Sequence, residues 1–123
     1  MPRVMIIEDE VNLLNLYKDE LDDEGYEVEA FSDGNRGLAR LEEFKPDVVV
    51  LDIKLNSVGG GLEILREMKS RRQRTQVILN SAYSTYKDDF TTWIADAYVI
   101  KSSDLRELKN KIKELSQTPP SKS

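Results

Sequence analysis

Two apolar runs, Val4 to Ile7 and Val48 to Leu51, contain no polar position. Uninterrupted apolar runs of this length predict strands covered on both faces. The first strand spans Arg3 to Ile7 and is closed by Glu8-Asp9-Glu10. Residues 11 to 24 then carry Leu14, Tyr17 and Leu21 at helical spacing, with Gly25 where a helix C′ residue belongs. Tyr26 to Phe31 alternates Tyr26, Val28 and Ala30 with Glu27 and Glu29, the pattern of a half-buried strand near a sheet edge. Ser32 or Asp33 caps a second helix with Leu38 and Leu41 inward, and Lys45-Pro46 ends it. Asp47 to Leu51 is the third strand, ending at Asp52.

A glycine-rich loop, Asn56 to Gly61, precedes a helix with Leu62, Leu65 and Met68 inward. Val77 to Leu79 forms the fourth strand, ending in Asn80-Ser81, and residues 84 to 94 form a weak helix with Tyr86, Phe90, Trp93 and Ile94. Ala97 to Ile100 is the fifth strand, ending at Lys101. The last helix begins near Asp104, which with Glu107 reads as a capping box, and turns Leu105, Leu108, Ile112 and Leu115 to one side. Strands alternating with helices predict an α/β fold, a (βα)5 doubly wound parallel five-stranded sheet. The expected order is the flavodoxin-like 2-1-3-4-5, with the ligand site beyond the carboxyl ends of strands 1 and 3. Residues 1–116 form the domain, and 117–123, with Pro119-Pro120 and no apolar side chain, form a disordered tail or the start of a linker.

Composition narrows the chemistry. The 123 residues include no cysteine and no histidine, which removes disulfides, Cys- or His-ligated metals, catalytic triads and histidine bases. A net charge of −5 disfavours direct nucleic-acid binding. No apolar run approaches the roughly 20 residues of a membrane span, and Met1-Pro2-Arg3 lacks a signal-peptide layout, so no membrane is involved and the expected compartment is the cytoplasm.

The strand ends carry what remains. Glu8-Asp9, Asp52, Asn80-Ser81 and Lys101 should meet at one edge of the sheet. Three carboxylates there repel one another unless a cation lies among them, and hard oxygen donors suit Mg²⁺. A lysine and a hydroxyl opposite would hold phosphate oxygens, making a small metal-assisted phosphoryl site. Simpler readings exist for each residue alone. Glu8-Asp9-Glu10 complements a helix dipole, Asp52 caps a strand end, Ser81 is a small loop residue and Tyr98 packs in the core. Gly59-Gly60-Gly61 lacks the ending of a P-loop and is a turn rather than a phosphate cradle.

At Val4-Met5-Ile6-Ile7-Glu8-Asp9-Glu10, Val48-Val49-Val50-Leu51-Asp52-Ile53-Lys54-Leu55, Ile78-Leu79-Asn80-Ser81-Ala82-Tyr83 and Ala97-Tyr98-Val99-Ile100-Lys101, the chain resembles the CheY-like receiver domain of two-component response regulators. The resemblance covers residues 3 to 115. It implies that Asp52 is the phosphoacceptor for a partner histidine kinase or phosphotransfer protein. It implies that Asp9, Asp52, Glu8 (directly or through water) and the Lys54 main-chain carbonyl hold Mg²⁺. Lys101 would pair with the phosphoryl group, while Ser81 and Tyr98 would switch. An acyl phosphate adds roughly two negative charges, which Mg²⁺ and a lysine offset. The altered surface would comprise the 84–94 helix, the fifth strand and the last helix, read by a downstream protein or an output domain outside these 123 residues. The resemblance implies a receiver that is a monomer or a phosphorylation-dependent dimer. It is a signalling domain rather than an enzyme, apart from catalysing its own phosphorylation and slow dephosphorylation, which the bulk of Lys54 and Tyr83 would slow further.

The chain departs from the family pattern in its loops. Asn56 stands where a proline is usual, and the Asn56–Gly61 stretch is about one residue longer than the family's usual loop, which predicts a softer loop. Ser102 replaces the proline that usually follows the lysine, so the Lys101–Ser102 peptide is expected to be trans. These departures keep open a non-phosphorylated interaction module. An Asp-nucleophile phosphatase of the haloacid dehalogenase type is the other rival, but it requires an acid at the position of Lys54.

Overall fold

A computed structural model of the chain describes residues 2–54, 60–71, 74–82 and 94–117. Five strands are present: β1 (Arg3–Ile7), β2 (Glu27–Phe31), β3 (Val48–Asp52), β4 (Gln76–Ser81) and β5 (Ala97–Ile100). The described helices are α1 (Val11–Asp23), α2 (Gly34–Phe44), α3 (Gly60–Arg71) and α4 (Arg106–Gln117). All strand pairs are parallel, in the order β2-β1-β3-β4-β5. This is the expected doubly wound α/β fold.

The period of two along each strand divides the core into two layers. Val4, Ile6, Val48, Val50, Ile78 and Val99 pack with Leu14, Tyr17 and Leu21 of α1 and with Leu108 and Ile112 of α4. Met5, Ile7, Val49, Leu51, Val77 and Leu79 pack on the other face, against α2 and α3. Both runs first noted in the sequence are buried throughout, as a sheet covered on two sides requires. β2, at the edge, stays half-buried.

The helix ends follow local chemistry. The amides of Gly25 and Tyr26 donate to the carbonyls of Asp22 and Leu21 at 3.0 and 3.3 Å, a Schellman motif with Gly25 at φ 94°. Asp33 accepts the Asn35 amide at the start of α2, and Lys45 ends that helix in a left-handed conformation before Pro46. The Asp47 carboxylate takes the Arg3 amide at 2.8 Å, tying β1 to the residue before β3.

Several boundaries differ from expectation. β3 begins at Val48 rather than Asp47 and β4 at Gln76 rather than Val77, while the two end at Asp52 and Ser81 as expected, with the polar end residues completing the ladder. α3 begins at Gly60, inside the stretch expected to be loop. It buries Gly61, Ile64, Leu65 and Met68, and Leu62 packs partly buried on the same core layer, so Ile64 joins the residues expected to face inward. The capping box does not form. Asp104 accepts the Arg106 amide, but its own amide donates to Ser102 Oγ rather than to Glu107. The Lys101–Ser102 peptide is trans. α4 reaches Gln117, one residue into the expected tail. The 84–94 helix, apart from Ile94, lies outside the described residues, as do Tyr83, Asn56 to Gly59 and residues 118–123.

Gly25→Ala is expected to destabilise the domain by about 1 kcal/mol, because a Cβ disfavours the left-handed C′ conformation. Urea denaturation measures this, and an unchanged midpoint would count against the assigned role of the motif.

Candidate functional site at the carboxyl edge of the sheet

Following the period of two past the end of the α1–α4 core layer identifies the site. Beyond Val4 and Ile6 the next residue in phase is Glu8, and beyond Val48 and Val50 it is Asp52. Beyond Ile78 comes Asn80, and beyond Val99 comes Lys101. The ladder itself carries the two residues outside formal strands. The Glu8 amide donates to Phe31 O at 3.0 Å, and the Lys101 amide donates to Ser81 O at 2.7 Å.

Lys101 Nζ lies 2.8 Å from Glu8 Oε1 and 3.3 Å from Asp52 Oδ2. Both carboxylates are buried, Glu8 at 2% exposure and Asp52 at 5%. The Glu10 amide donates to Glu8 Oε2 at 3.1 Å, and the Lys54 amide donates to Asp52 Oδ1 at 3.1 Å. Among the described residues Glu8 Oε1 has its ion pair but no directed hydrogen bond. Carboxylate oxygens of Glu8, Asp9 and Asp52 all lie within 4.8 Å of one another. This all-oxygen donor set of three carboxylates, two of them buried against one ammonium, fits a hard divalent cation such as Mg²⁺.

Burial pushes the Glu8 carboxyl above its ordinary value, against the pull of Lys101 and the Glu10 amide, and the Asp52 charge adds to the rise. Burial works against the Lys101 ammonium, but Glu8 and Asp52 outweigh it and raise the lysine above its ordinary value.

The structure brings Glu8, Asp9, Asp52 and Lys101 together. Ser81 ends β4, is buried and pairs in register with Ile100. Tyr98 pairs with Leu79 and packs, partly buried, on the α2–α3 layer. In strand phase these two belong to the sheet face opposite Asp52 and Lys101. Lys54 is exposed, and its amide is the group that touches the Asp52 carboxylate.

The sequence reading missed one polar pair. Asn80 Nδ2 donates to the Tyr17 hydroxyl at 3.0 Å, with both residues 2% exposed. Asn80 also sits beside Asp52 in the β3–β4 register. The available signal was a polar side chain in phase with Ile78, at a position that the period of two turns inward.

Residues 4–113 match the family described as the response regulator receiver domain. The chain belongs to that family. The receiver is 38% identical over 115 residues to the transcriptional regulatory protein TrcR of Mycobacterium tuberculosis, a match covering 92% of this chain and 44% of TrcR. It is 32% identical over 123 residues to the response regulator ArlR of Staphylococcus aureus, covering 99% of this chain and 56% of ArlR. The receiver thus spans about half the length of these curated relatives. Among solved structures it is similar to the response regulator TrrA of Thermotoga maritima in complex with Mg²⁺-BeF. That likeness has a TM-score of 0.87 at 38% identity, covering 94% of this chain and 99% of the other. A structure of the histidine kinase ThkA in complex with TrrA matches with a TM-score of 0.85 at 39% identity, over 94% of this chain and 98% of the other. Among the described residues, no helix is long and apolar enough to cross a membrane.

Tyr17→Phe leaves the buried Asn80 amide without its acceptor and is expected to cost about 1–3 kcal/mol in urea denaturation. Adding Asn80→Leu should recover part of the loss, and strictly additive costs would show that the pair is not coupled. A second prediction concerns pH in the presence of a chelator. The folded state holds the Glu8 proton more tightly than the unfolded chain does. Glu8 therefore favours the fold below the ordinary carboxylate value, and that contribution is lost as pH rises through the raised value. Glu8→Gln should raise the metal-free Tm at neutral pH and flatten its decline above pH ~4.5. A lower Tm at neutral pH would contradict this sign.

Proposed function

We propose that this receiver accepts a phosphoryl group on Asp52 from a histidine kinase or phosphotransfer protein in a Mg²⁺-dependent reaction. The observation that supports this most directly is Lys101 lying between the buried carboxylates of Glu8 and Asp52, with Asp9 close enough to share a cation. In the proposed step an Asp52 carboxylate oxygen attacks the phosphorus of a phosphohistidine. The P–N bond breaks, its electron pair stays on the imidazole nitrogen, and an acyl phosphate forms. These 123 residues contain no histidine, so the phosphohistidine of the proposed step lies outside them.

Glu8, Asp9, Asp52 and the Lys54 main-chain carbonyl are the proposed Mg²⁺ ligands, and the ion supplies charge neutralisation at the transferring group. Lys101, already held by Asp52, offsets the incoming negative charge. Ser81 and Tyr98 are the proposed switch residues, one ending β4 and the other on β5. They would carry the change to a surface read by a downstream protein or an output domain. The similarity to TrrA bound to Mg²⁺-BeF, and to TrrA with its kinase, supports the same reading. We assign residues 1–116 to the receiver, with a signalling rather than an enzymatic role, in the cytoplasm.

Incubation with Mg²⁺ and a small acyl phosphate, followed by intact-mass measurement, should add one phosphoryl group to the wild type and none to Asp52→Asn. Equal labelling of both would remove Asp52 from the role. Lys101→Ala leaves two buried carboxylates uncompensated and should lower metal-free stability by about 3 kcal/mol. Added Mg²⁺ should restore part of that loss, and no rescue would speak against a cation among Glu8, Asp9 and Asp52.

A further inference from the structure

The geometry points to Gly61 as a positioning residue for Asp52, one that isolates the carboxylate from the loop joining β3 to α3; this inference rests on the proposed metal and phosphoryl site. Gly61 is buried in the first turn of α3, and its amide donates to Ile53 O at 2.7 Å. A Cβ at this position would lie 2.0 Å from Asp52 O, 2.7 Å from Ile53 Cα and 2.9 Å from the Asp52 carbonyl carbon. All three atoms are backbone, so no side-chain rotation relieves the clash. The start of α3 thus rests directly on the peptide between Asp52 and Ile53, and only glycine allows that approach.

This contact acts on the site through one short path. Gly61 holds Ile53 O and abuts the Asp52 peptide. The next amide along, that of Lys54, donates to Asp52 Oδ1 at 3.1 Å. Ile53 O and the Lys54 N–H belong to the same 53–54 peptide, so the Gly61 hydrogen bond, together with its contact on the preceding 52–53 peptide, sets the direction of the Lys54 amide that meets the Asp52 carboxylate. The Gly61–Ile53 hydrogen bond also closes the segment between them. This bond fixes the separation of Ile53 and Gly61 on either side of that segment. A loop one residue longer than the family norm, with Asn56 in place of proline, then need not disturb the acceptor.

Three variants of the full chain test this: Gly61→Ala, an extra glycine inserted between Val58 and Gly59, and Leu41→Ala. The last removes a fully buried core side chain on α2 and controls for lost stability. Two readouts are used below each variant's unfolding transition: the ¹H–¹⁵N resonance of the Lys54 amide without metal, and Mg²⁺ affinity by calorimetry. Gly61→Ala should shift the Lys54 resonance and weaken Mg²⁺ binding by about 10-fold or more, as loss of an outer-shell support does. The insertion and Leu41→Ala should leave the resonance in place and the affinity within about twofold, as expected of independent sites. A folded Gly61→Ala protein with wild-type resonance and affinity overturns the inference. So does an insertion that moves the Lys54 resonance, a result that decides the matter if Gly61→Ala does not fold. A wild type that binds no Mg²⁺ sinks the functional reading instead, and the Lys54 resonance still judges the role of Gly61.

Discussion

The cost of burying charge governs this receiver. Glu8 and Asp52 end adjacent strands in an interior where an unpaired carboxylate is strongly unfavourable. Lys101 arrives from β5 and places one ammonium against both. One positive charge cannot fully compensate two buried negatives, so the site retains a net demand for cationic charge. Burial and the Asp52 charge hold the Glu8 carboxyl above its ordinary value and thus register that demand. A pocket in this condition favours a divalent cation, and the proposed phosphoryl group would increase that demand.

The hydrophobic core delivers the charges to this point. On the α1–α4 face, the apolar residues of β1, β3, β4 and β5 lie in one phase, and Glu8, Asp52, Asn80 and Lys101 are its polar continuation. A slip of one residue in any of these strands would turn its site residue to the opposite face and bury the wrong set of side chains. Packing energy over the whole layer therefore fixes the placement of a few polar groups at its rim. Ser81 and Tyr98 are in the opposite phase, beside the α2–α3 layer. The groups proposed to bind and those proposed to switch approach the carboxyl edge from different sides of the same sheet.

Two departures from the family pattern have local physical answers. Ser102, standing where a proline is usual, accepts the Asp104 amide, and Asp104 in turn accepts the Arg106 amide at the start of α4. The turn after Lys101 is thus built from side-chain hydrogen bonds with a trans peptide. After Asp52, the seat of Gly61 on the strand end holds the Asp52–Ile53 backbone from the α3 side.

Periodicity alone determined the element order, the parallel sheet and its strand sequence, because continuous apolar runs and helical spacings leave few ways to bury this much nonpolar surface. It also determined which strand ends meet, and hence that Glu8, Asp9, Asp52 and Lys101 share one edge, while the absence of histidine and cysteine removed most rival chemistries. Tertiary structure decided what depends on distance between segments far apart in the chain. That Tyr17 meets Asn80, that Lys101 divides itself between Glu8 and Asp52, and that Gly61 must lack a side chain all follow from contacts across the fold. The exchange of the expected Asp104–Glu107 box for a Ser102–Asp104 turn has the same origin: β5 and α4 fix where the chain must enter the helix, and the nearest hydroxyl then wins the amide. Spacing in one dimension records which face a residue takes, but not which partner waits there.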